Sequence, residues 1–284
     1  MIRIKKINDH VVTAIPKLGG EDKRPVLGAE IIPLAYCNIF LSARKMSGKT
    51  SALFKILKEC TGKKTKVIAF VATLYNDDNW IFIQKWMKDK GIDFEGHTSL
   101  KEDGVDLLTE LVKRLEEEAE DKLAAEDEEL DEEAAKRGGF IKAFADANLP
   151  KEKKEKKPKY IAPEIIIVLD DLSNELKSKS LVTLLKRHRH YKSKTIISSQ
   201  YYLDLLPESR EQIDYFILFK GQTEKKMETI YKDAQLAIPY DLFVKLYHNA
   251  TSKPYGFLFV DKRTDEFRQG FNKVYELPEQ AKQE

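Results

Sequence analysis

Residues 38–51 read NIFLSARKMSGKTS. Ile39, Phe40 and Leu41 make a short apolar run of the kind a buried strand uses, and the chain leaves it through Ala43-Arg44-Lys45-Met46-Ser47. Gly48-Lys49-Thr50 then opens a segment carrying Leu53, Ile56 and Leu57 at helical spacing. A strand, a loop and a helix that begins Gly-Lys-Thr form the local setting of a phosphate-binding loop. Successive backbone N–H groups converge at the helix N-terminus, where the aligned peptide dipoles also favour negative charge. The candidate nucleotide-binding residues are therefore Ala43, Arg44, Lys45, Met46, Ser47, Gly48, Lys49, Thr50 and Ser51. Lys49 is expected to reach the β- and γ-phosphates of ATP, and the Thr50 hydroxyl to ligate Mg²⁺. The pattern G-x-x-x-x-G-K-S/T is incomplete, because Ala43 stands at its first glycine. Read alone, the tripeptide also fits an ordinary helix start with a glycine near its cap.

The second half of the chain favours the phosphate loop. In APEIIIVLDDLSNEL, the run Ile165-Ile166-Ile167-Val168-Leu169 predicts a strand buried on both faces and ending in Asp170-Asp171. Two carboxylates at the end of a buried strand are costly unless they face a cation or a site. This is the Walker B pattern: Asp170 would hold Mg²⁺ through water and Asp171 would act on the attacking water as general base. A strand ending in an Asp-capped turn is the plainer alternative. Further on, TIISSQ (195–200) predicts a strand tipped by Gln200, placed to hydrogen-bond the γ-phosphate or the lytic water. Arg187 and Arg189 lie in the basic cluster LLKRHRHYKSK, and Arg210 follows the Gln200 strand. An arginine pointed into a neighbour's site would stabilise transition-state charge. The same cations could complement a helix C-terminus or touch DNA phosphates.

Composition sets the bounds. The 284 residues are 34% charged and 42% hydrophobic with a net charge of only +2, so any nucleic-acid surface is a local patch, not a global field. Cys37 and Cys60 lack metal-type spacing and read as buried thiols of a reducing compartment. No apolar run approaches a membrane span and MIRIKKINDH lacks a signal-peptide core, so a soluble intracellular protein is expected.

The remaining segments arrange themselves around these motifs. Ile2, Ile4 and Ile7 suggest a short opening strand before a stretch punctuated by Pro16, Gly19, Gly20 and Pro25. KVIAFVATL (66–74) predicts a central parallel strand, followed by a helix capped by Asp77 or Asp78, with Trp80, Ile83, Trp86 and Met87 as packing residues. Leu107, Leu108, Leu111, Val112 and Leu115 mark a helical face, beyond which Glu116 to Glu133 holds twelve acidic residues and 151–159 is lysine-rich. Opposite charge blocks of this kind read as a projecting arm or a solvated tether. Amphipathic helices through Met227, Ile230 and Tyr231 and through Leu242, Phe243 and Leu246 lead to GFLFV (256–260) and a last strand near Phe271–Tyr275, a closing hairpin.

The order strand, phosphate loop, helix, plain strand, helix, Walker B strand, helix, Gln-tipped strand resembles that of the additional-strand P-loop ATPases, with 66–74 read as the distinguishing strand. No Leu-Ser-Gly-Gly-Gln signature occurs, which argues against transporter ATPases. At finer grain, SARKMSGKT, VIAFVATLYNDDNW, IIIVLDD, RHRHYKSKTIISSQYY, LPESREQID and GFLFVDKRTDEFRQGF resemble the genome-packaging ATPases of large cytoplasmic DNA viruses and their virophage relatives, in the FtsK–HerA superfamily. The likeness spans roughly residues 38–100 and 160–272, and 101–159 match nothing. It implies an α/β fold of the RecA-like additional-strand (ASCE) class, a three-layer sandwich with a mostly parallel central sheet. Residues 1–96 and 160–276 would form one ATPase core, 97–159 a charged insertion, partly helical or disordered, and 277–284 a tail. By resemblance, Lys49 and Thr50 bind ATP and Mg²⁺, Asp170 and Asp171 complete the site, Gln200 is the sensor, and Arg189 or a neighbour such as Arg187 or Arg210 is the finger acting in trans. Asp171 stands where the wider superfamily often has Glu.

The function implied is an ATP-driven double-stranded DNA translocase, a homo-oligomeric ring of five or six subunits that packages a viral genome. Capsid or portal-vertex proteins would be further partners, and the host-cell cytoplasm and the virion the locations. A related plasmid or conjugative DNA pump, or a helicase, is the rival among enzymes. A capsid-assembly protein with a decayed phosphate loop is the rival outside them.

Overall fold

The doubly apolar runs become the middle of a sheet. The computed structural model describes residues 24–138 and 159–277, with side chains described throughout except at 123 and 125–138. The expected opening strand at Ile2–Ile7, most of the lysine-rich block at 151–159 and the tail beyond residue 277 lie outside the described residues. From the first strand onward the elements are β1 (Cys37–Ser42), α1 (Lys49–Cys60), β2 (Lys66–Val71), α2 (Asp78–Asp89), β3 (Asp93–His97), a small hairpin of β4 (Lys101–Glu102) and β5 (Val105–Asp106), and α3 (Leu107–Gly138). Then come β6 (Ile165–Asp170), α4 (Lys179–Lys186), β7 (Ser193–Ser199), α5 (Pro207–Arg210), β8 (Tyr215–Phe219), α6 (Glu224–Ala234), α7 (Tyr240–Ala250), β9 (Phe257–Asp261), β10 (Glu266–Gln269) and β11 (Lys273–Val274).

Among the described residues, nine strands make one sheet in the order β11-β10-β9-β8-β1-β7-β6-β2-β3. The six from β8 to β3 run parallel, and β9, β10 and β11 add an antiparallel edge. Side chains alternate between faces along a strand, and the core divides accordingly. Ile165, Ile167 and Leu169 of β6 and Phe40 of β1 pack with α3, α4, α6 and α7. Ile166 and Val168, with Ile39 and Leu41, pack with α1 and α2. Helices on both faces of a mostly parallel sheet give the expected three-layer α/β sandwich.

The strand order corrects one expectation. Segment 66–74, read as the distinguishing additional strand, lies outboard of β6; the strand inserted between β1 and β6 is the Gln200-tipped β7. All seven residues of β7 are buried although Ser193, Lys194, Thr195, Ser198 and Ser199 are polar. The Lys194 ammonium is satisfied by the Leu34 carbonyl at 2.8 Å, one way a central strand tolerates such a composition.

Three further elements differ from the sequence reading. β3, whose residues Asp93–His97 are mostly polar and at most half buried, forms an edge strand that no apolar run announced. The closing hairpin is β9 with β10, and the expected last strand at 271–275 is reduced to β11. Leu108, Leu111, Val112 and Leu115 of α3 share the buried cluster of β6 and α4, so the expected boundary at residue 96 falls inside the core. The acidic run continues the same helix, and α3 is 32 residues long. Cys37 and Cys60 are both buried free thiols, and burial pushes the Cys37 thiol up to about 12. Among the described residues no helix is long and apolar enough to cross a membrane.

Candidate active site

Strands β1, β6 and β7 end together. Ser42 is level with Ser199, and Asp170 with Ser198, so the loops after all three leave from one edge. The chain departs β1 through Ala43, which is buried, and turns through Met46 (φ +60°) and Gly48 (φ +92°) into α1. Gly48 suits this turn because a side chain there would be strained by the backbone angle. The Ser47 hydroxyl donates to the Arg44 carbonyl at 2.7 Å and closes the loop on itself. The Gln222 side chain ties the base of the loop to β8: its Nε2 donates to the carbonyls of Ser42 and Phe219, both at 2.9 Å, and its Oε1 accepts from Ser42 Oγ at 2.9 Å.

Lys49 and the paired aspartates, 121 residues apart in sequence, are in contact. Lys49 Nζ lies 3.1 Å from Asp170 Oδ1 and also bonds Asp171 Oδ2. Burial pulls the Lys49 ammonium down, but the Asp170 charge and the bonds to both carboxylates outweigh it and hold the group above the ordinary lysine range. Asp171 adopts a left-handed backbone (φ +55°), and its N–H donates to the Ser198 carbonyl at 3.0 Å. That turn swings its carboxylate out of the strand direction to a position one-third exposed, whereas the Asp170 side chain is almost wholly buried.

The other oxygen of Asp170 is held by a residue the sequence reading assigned to packing. Trp80, fully buried on α2, donates from Nε1 to Asp170 Oδ2 at 3.0 Å. Asp77 caps this helix, accepting from the Asn79 N–H at 2.8 Å, and so sets the rotation that aims the indole at the strand end. Helical spacing finds such a tryptophan and says nothing of its N–H; a buried indole donor needs a partner, and that requirement was the available signal. We expect Trp80→Phe to keep the packing but lose a charge-assisted hydrogen bond, costing about 2 kcal/mol. Urea unfolding should read that loss, and a Trp80→Phe protein as stable as wild type would contradict the assignment.

Gln200 follows β7 directly, on the same edge. It lines a cavity of about 520 Å³ with Arg44, Lys45, Tyr201 and Lys226, and its carbonyl accepts from Lys226 Nζ. Burial, and then the Arg44 charge, push the Lys226 ammonium down.

The three arginines are not part of this cluster. Arg187 and Arg189 precede β7 and so lie at the opposite edge of the sheet from Lys49. Arg187 is bound to Glu116 of α3 at 2.6 Å. Arg189 is exposed, and its charge is one of those opposing the burial that pushes the Asp214 carboxyl up. Arg210 is largely buried, 3.4 Å from Asp233 and over the Tyr202 ring at 5.4 Å. Arg187 and Arg210 are thus engaged within their own chain.

The donor set at the strand ends suits a hard divalent cation with a polyphosphate: the Thr50 hydroxyl, the buried carboxylate of Asp170 and the ammonium of Lys49 are hard oxygen and cationic groups, with no thiol or imidazole among them. The site's residues come from β1, α1, α2, β6 and β7.

Residues 135–254 match the profile of the family described as Poxvirus A32 protein, a stretch that contains Asp170, Asp171 and Gln200 and stops short of the Lys49 loop. Over 116 residues the chain is 28% identical to "Uncharacterized protein 075L" of Invertebrate iridescent virus 6, a match covering 40% of this chain and 45% of that protein. The chain thus spans less than half the length of this curated relative. Among solved structures, the genome packaging NTPase B204 of Sulfolobus turreted icosahedral virus 2, in complex with AMP, superposes with a TM-score of 0.48 and 15% identity, covering 86% of this chain and 98% of that one. The cytoplasmic domain of the Thermomonospora curvata Type VII secretion ATPase EccC gives 0.40 and 14% over 79% of this chain and 24% of its own. The chain is thus similar to the poxvirus A32 proteins over residues 135–254, the stretch that carries the paired aspartates and the Gln200 strand.

Proposed function

We propose that the chain is an ATPase that drives double-stranded DNA into a viral capsid, working as a homo-oligomeric ring. The observation that carries the ATPase reading is the convergence of Lys49, Asp170 and Asp171 at the end of β6, beside the Gln200-tipped strand. The poxvirus A32 match and the sequence likeness to packaging ATPases support the packaging role.

Thr50 and Asp170 would hold Mg²⁺, which when bound offsets the charge of the phosphate oxygens. The rest falls to the chain's own groups. Backbone N–H groups of residues 43–51 cradle the phosphates, and Lys49 exchanges its two carboxylate partners for phosphate oxygens. Asp171, released from Lys49, takes the proton of the attacking water as its oxygen bonds the γ-phosphorus and the bond to ADP breaks. Gln200 orients that water. Trp80 holds Asp170 in place throughout. Arg189, exposed at the far edge, is the candidate to complete a neighbour's site, because among the described residues it forms no close ion pair of the kind that holds Arg187 and Arg210.

DNA should stimulate the ATPase, and duplex affinity should fall steeply with salt as phosphate contacts release counterions. Filter binding across a salt series checks this; a flat profile would count against a duplex-tracking surface. Strand unwinding, or preference for single strands, would instead favour a helicase.

A further inference from the structure

We propose that the Tyr255 ring is the platform on which the nucleobase of the bound nucleoside triphosphate stacks. The inference rests on the reading of residues 43–51 as a phosphate-binding loop and adds the part of the ligand that loop leaves unaddressed. Tyr255 is 72% exposed, although it sits in an ordered turn between α7 and β9. Its ring stands at the start of α1: a Cβ built on Gly48 would lie 3.3 Å from Tyr255 Cδ1 and 3.5 Å from its Cβ. The aromatic face is therefore beside the phosphate loop and open to solvent, on the β9 side of it.

The turn that presents the ring is fixed from both ends. Thr251 Oγ1 donates to the Tyr247 carbonyl at 2.8 Å, and the Gly256 N–H donates to the Lys253 carbonyl at 3.1 Å. Gly256 is pressed on the end of α7 so closely that a Cβ there would come within 2.5 Å of the Ala250 carbonyl oxygen. Tyr255 itself is held at φ +60°, a backbone angle an L-residue with a large side chain rarely takes. A rigid, exposed ring gives up little conformational freedom when a flat partner covers it.

The chemistry selects the ligand class. Phosphates lie along the backbone N–H groups of the loop, so the ribose and base of the nucleotide project past the first turn of α1, where the ring stands. Every nucleobase has a π face, so stacking tolerates either purine. Tyr255 thus contributes to the affinity for nucleoside triphosphates in general and nothing to the affinity for a bare phosphate chain.

The test compares dissociation constants of ATP, GTP and inorganic tripolyphosphate, each with Mg²⁺, for wild type, Tyr255→Ala, Tyr255→Phe and Lys49→Ala. Tyr255→Ala should weaken ATP and GTP by about 10-fold and leave tripolyphosphate unchanged, while Tyr255→Phe keeps all three near wild type. Unchanged ATP binding in Tyr255→Ala overturns the platform alone. An equal loss of tripolyphosphate also overturns it, by showing that the ring only shapes Gly48. If Lys49→Ala binds all three ligands as wild type does, the phosphate loop reading fails and the platform falls with it.

Discussion

Lys49→Ala should abolish DNA-stimulated ATP hydrolysis, a loss of at least ~10²-fold of the kind that follows removal of a preorganised cationic donor from a phosphoryl-transfer site. The structure adds a second consequence. Among the described residues Lys49 is the cation paired with Asp170, whose buried carboxylate otherwise has the Trp80 indole as partner. Deleting the ammonium leaves that charge under-compensated and should destabilise the fold by about 3 kcal/mol. The two effects can be separated. Lys49→Arg keeps a positive charge beside the carboxylates but replaces a compact ammonium by a planar fork that does not fit the same phosphate position. It should unfold near the wild-type urea midpoint while remaining inactive. Full turnover in Lys49→Arg would show that the group serves the fold and not the phosphates.

If the subunits assemble as proposed, Arg189→Ala should reduce turnover by ~10³-fold, the scale of an arginine supplied in trans. Because the residue is exposed at the sheet edge away from its own Lys49, its removal should leave the stability of the subunit unchanged. The informative experiment is a mixture. Lys49→Ala subunits have a disabled phosphate loop but an intact Arg189; Arg189→Ala subunits have the reverse defect. Each alone should be inactive, and mixing them should restore part of the activity at interfaces where an intact arginine faces an intact loop. No recovery in mixed rings, shown to contain both subunits, would remove Arg189 from the mechanism. Arg187→Ala and Arg210→Ala act as comparison variants. The first loses a surface pair with Glu116, worth little. The second leaves Asp233 without its cation next to the Tyr202 ring, so its defect should be in stability.

Much of this site could be read along the chain because its parts are local. β1 and β6 are apolar on both faces, and a run of that kind has nowhere to go but the interior of a parallel sheet. The turn into α1 needs a glycine at positive φ directly before Lys49, and Gly48 supplies it within three residues. The Asp77 cap is equally short-range. Where polarity and burial disagree, the reading was incomplete: β7, mostly serine, threonine and lysine, was expected as a strand but not as the one between β1 and β6, and the mostly polar edge strand β3 was missed. The first helical turns of α3 are core, and nothing in their leucine spacing says which layer they join.

By itself the sequence determined the glycine turn into α1, the acid-tipped strand and the alternation of strand with helix, since each depends on torsional and hydrophobic preferences acting over a few neighbouring residues. Only the tertiary structure decided that β7 separates β1 from β6, that Trp80 grips an aspartate 90 residues further on, and that Tyr255 stands over Gly48. Those are pairings between distant segments. They follow from how whole faces bury against one another, a choice no local stretch of the chain encodes.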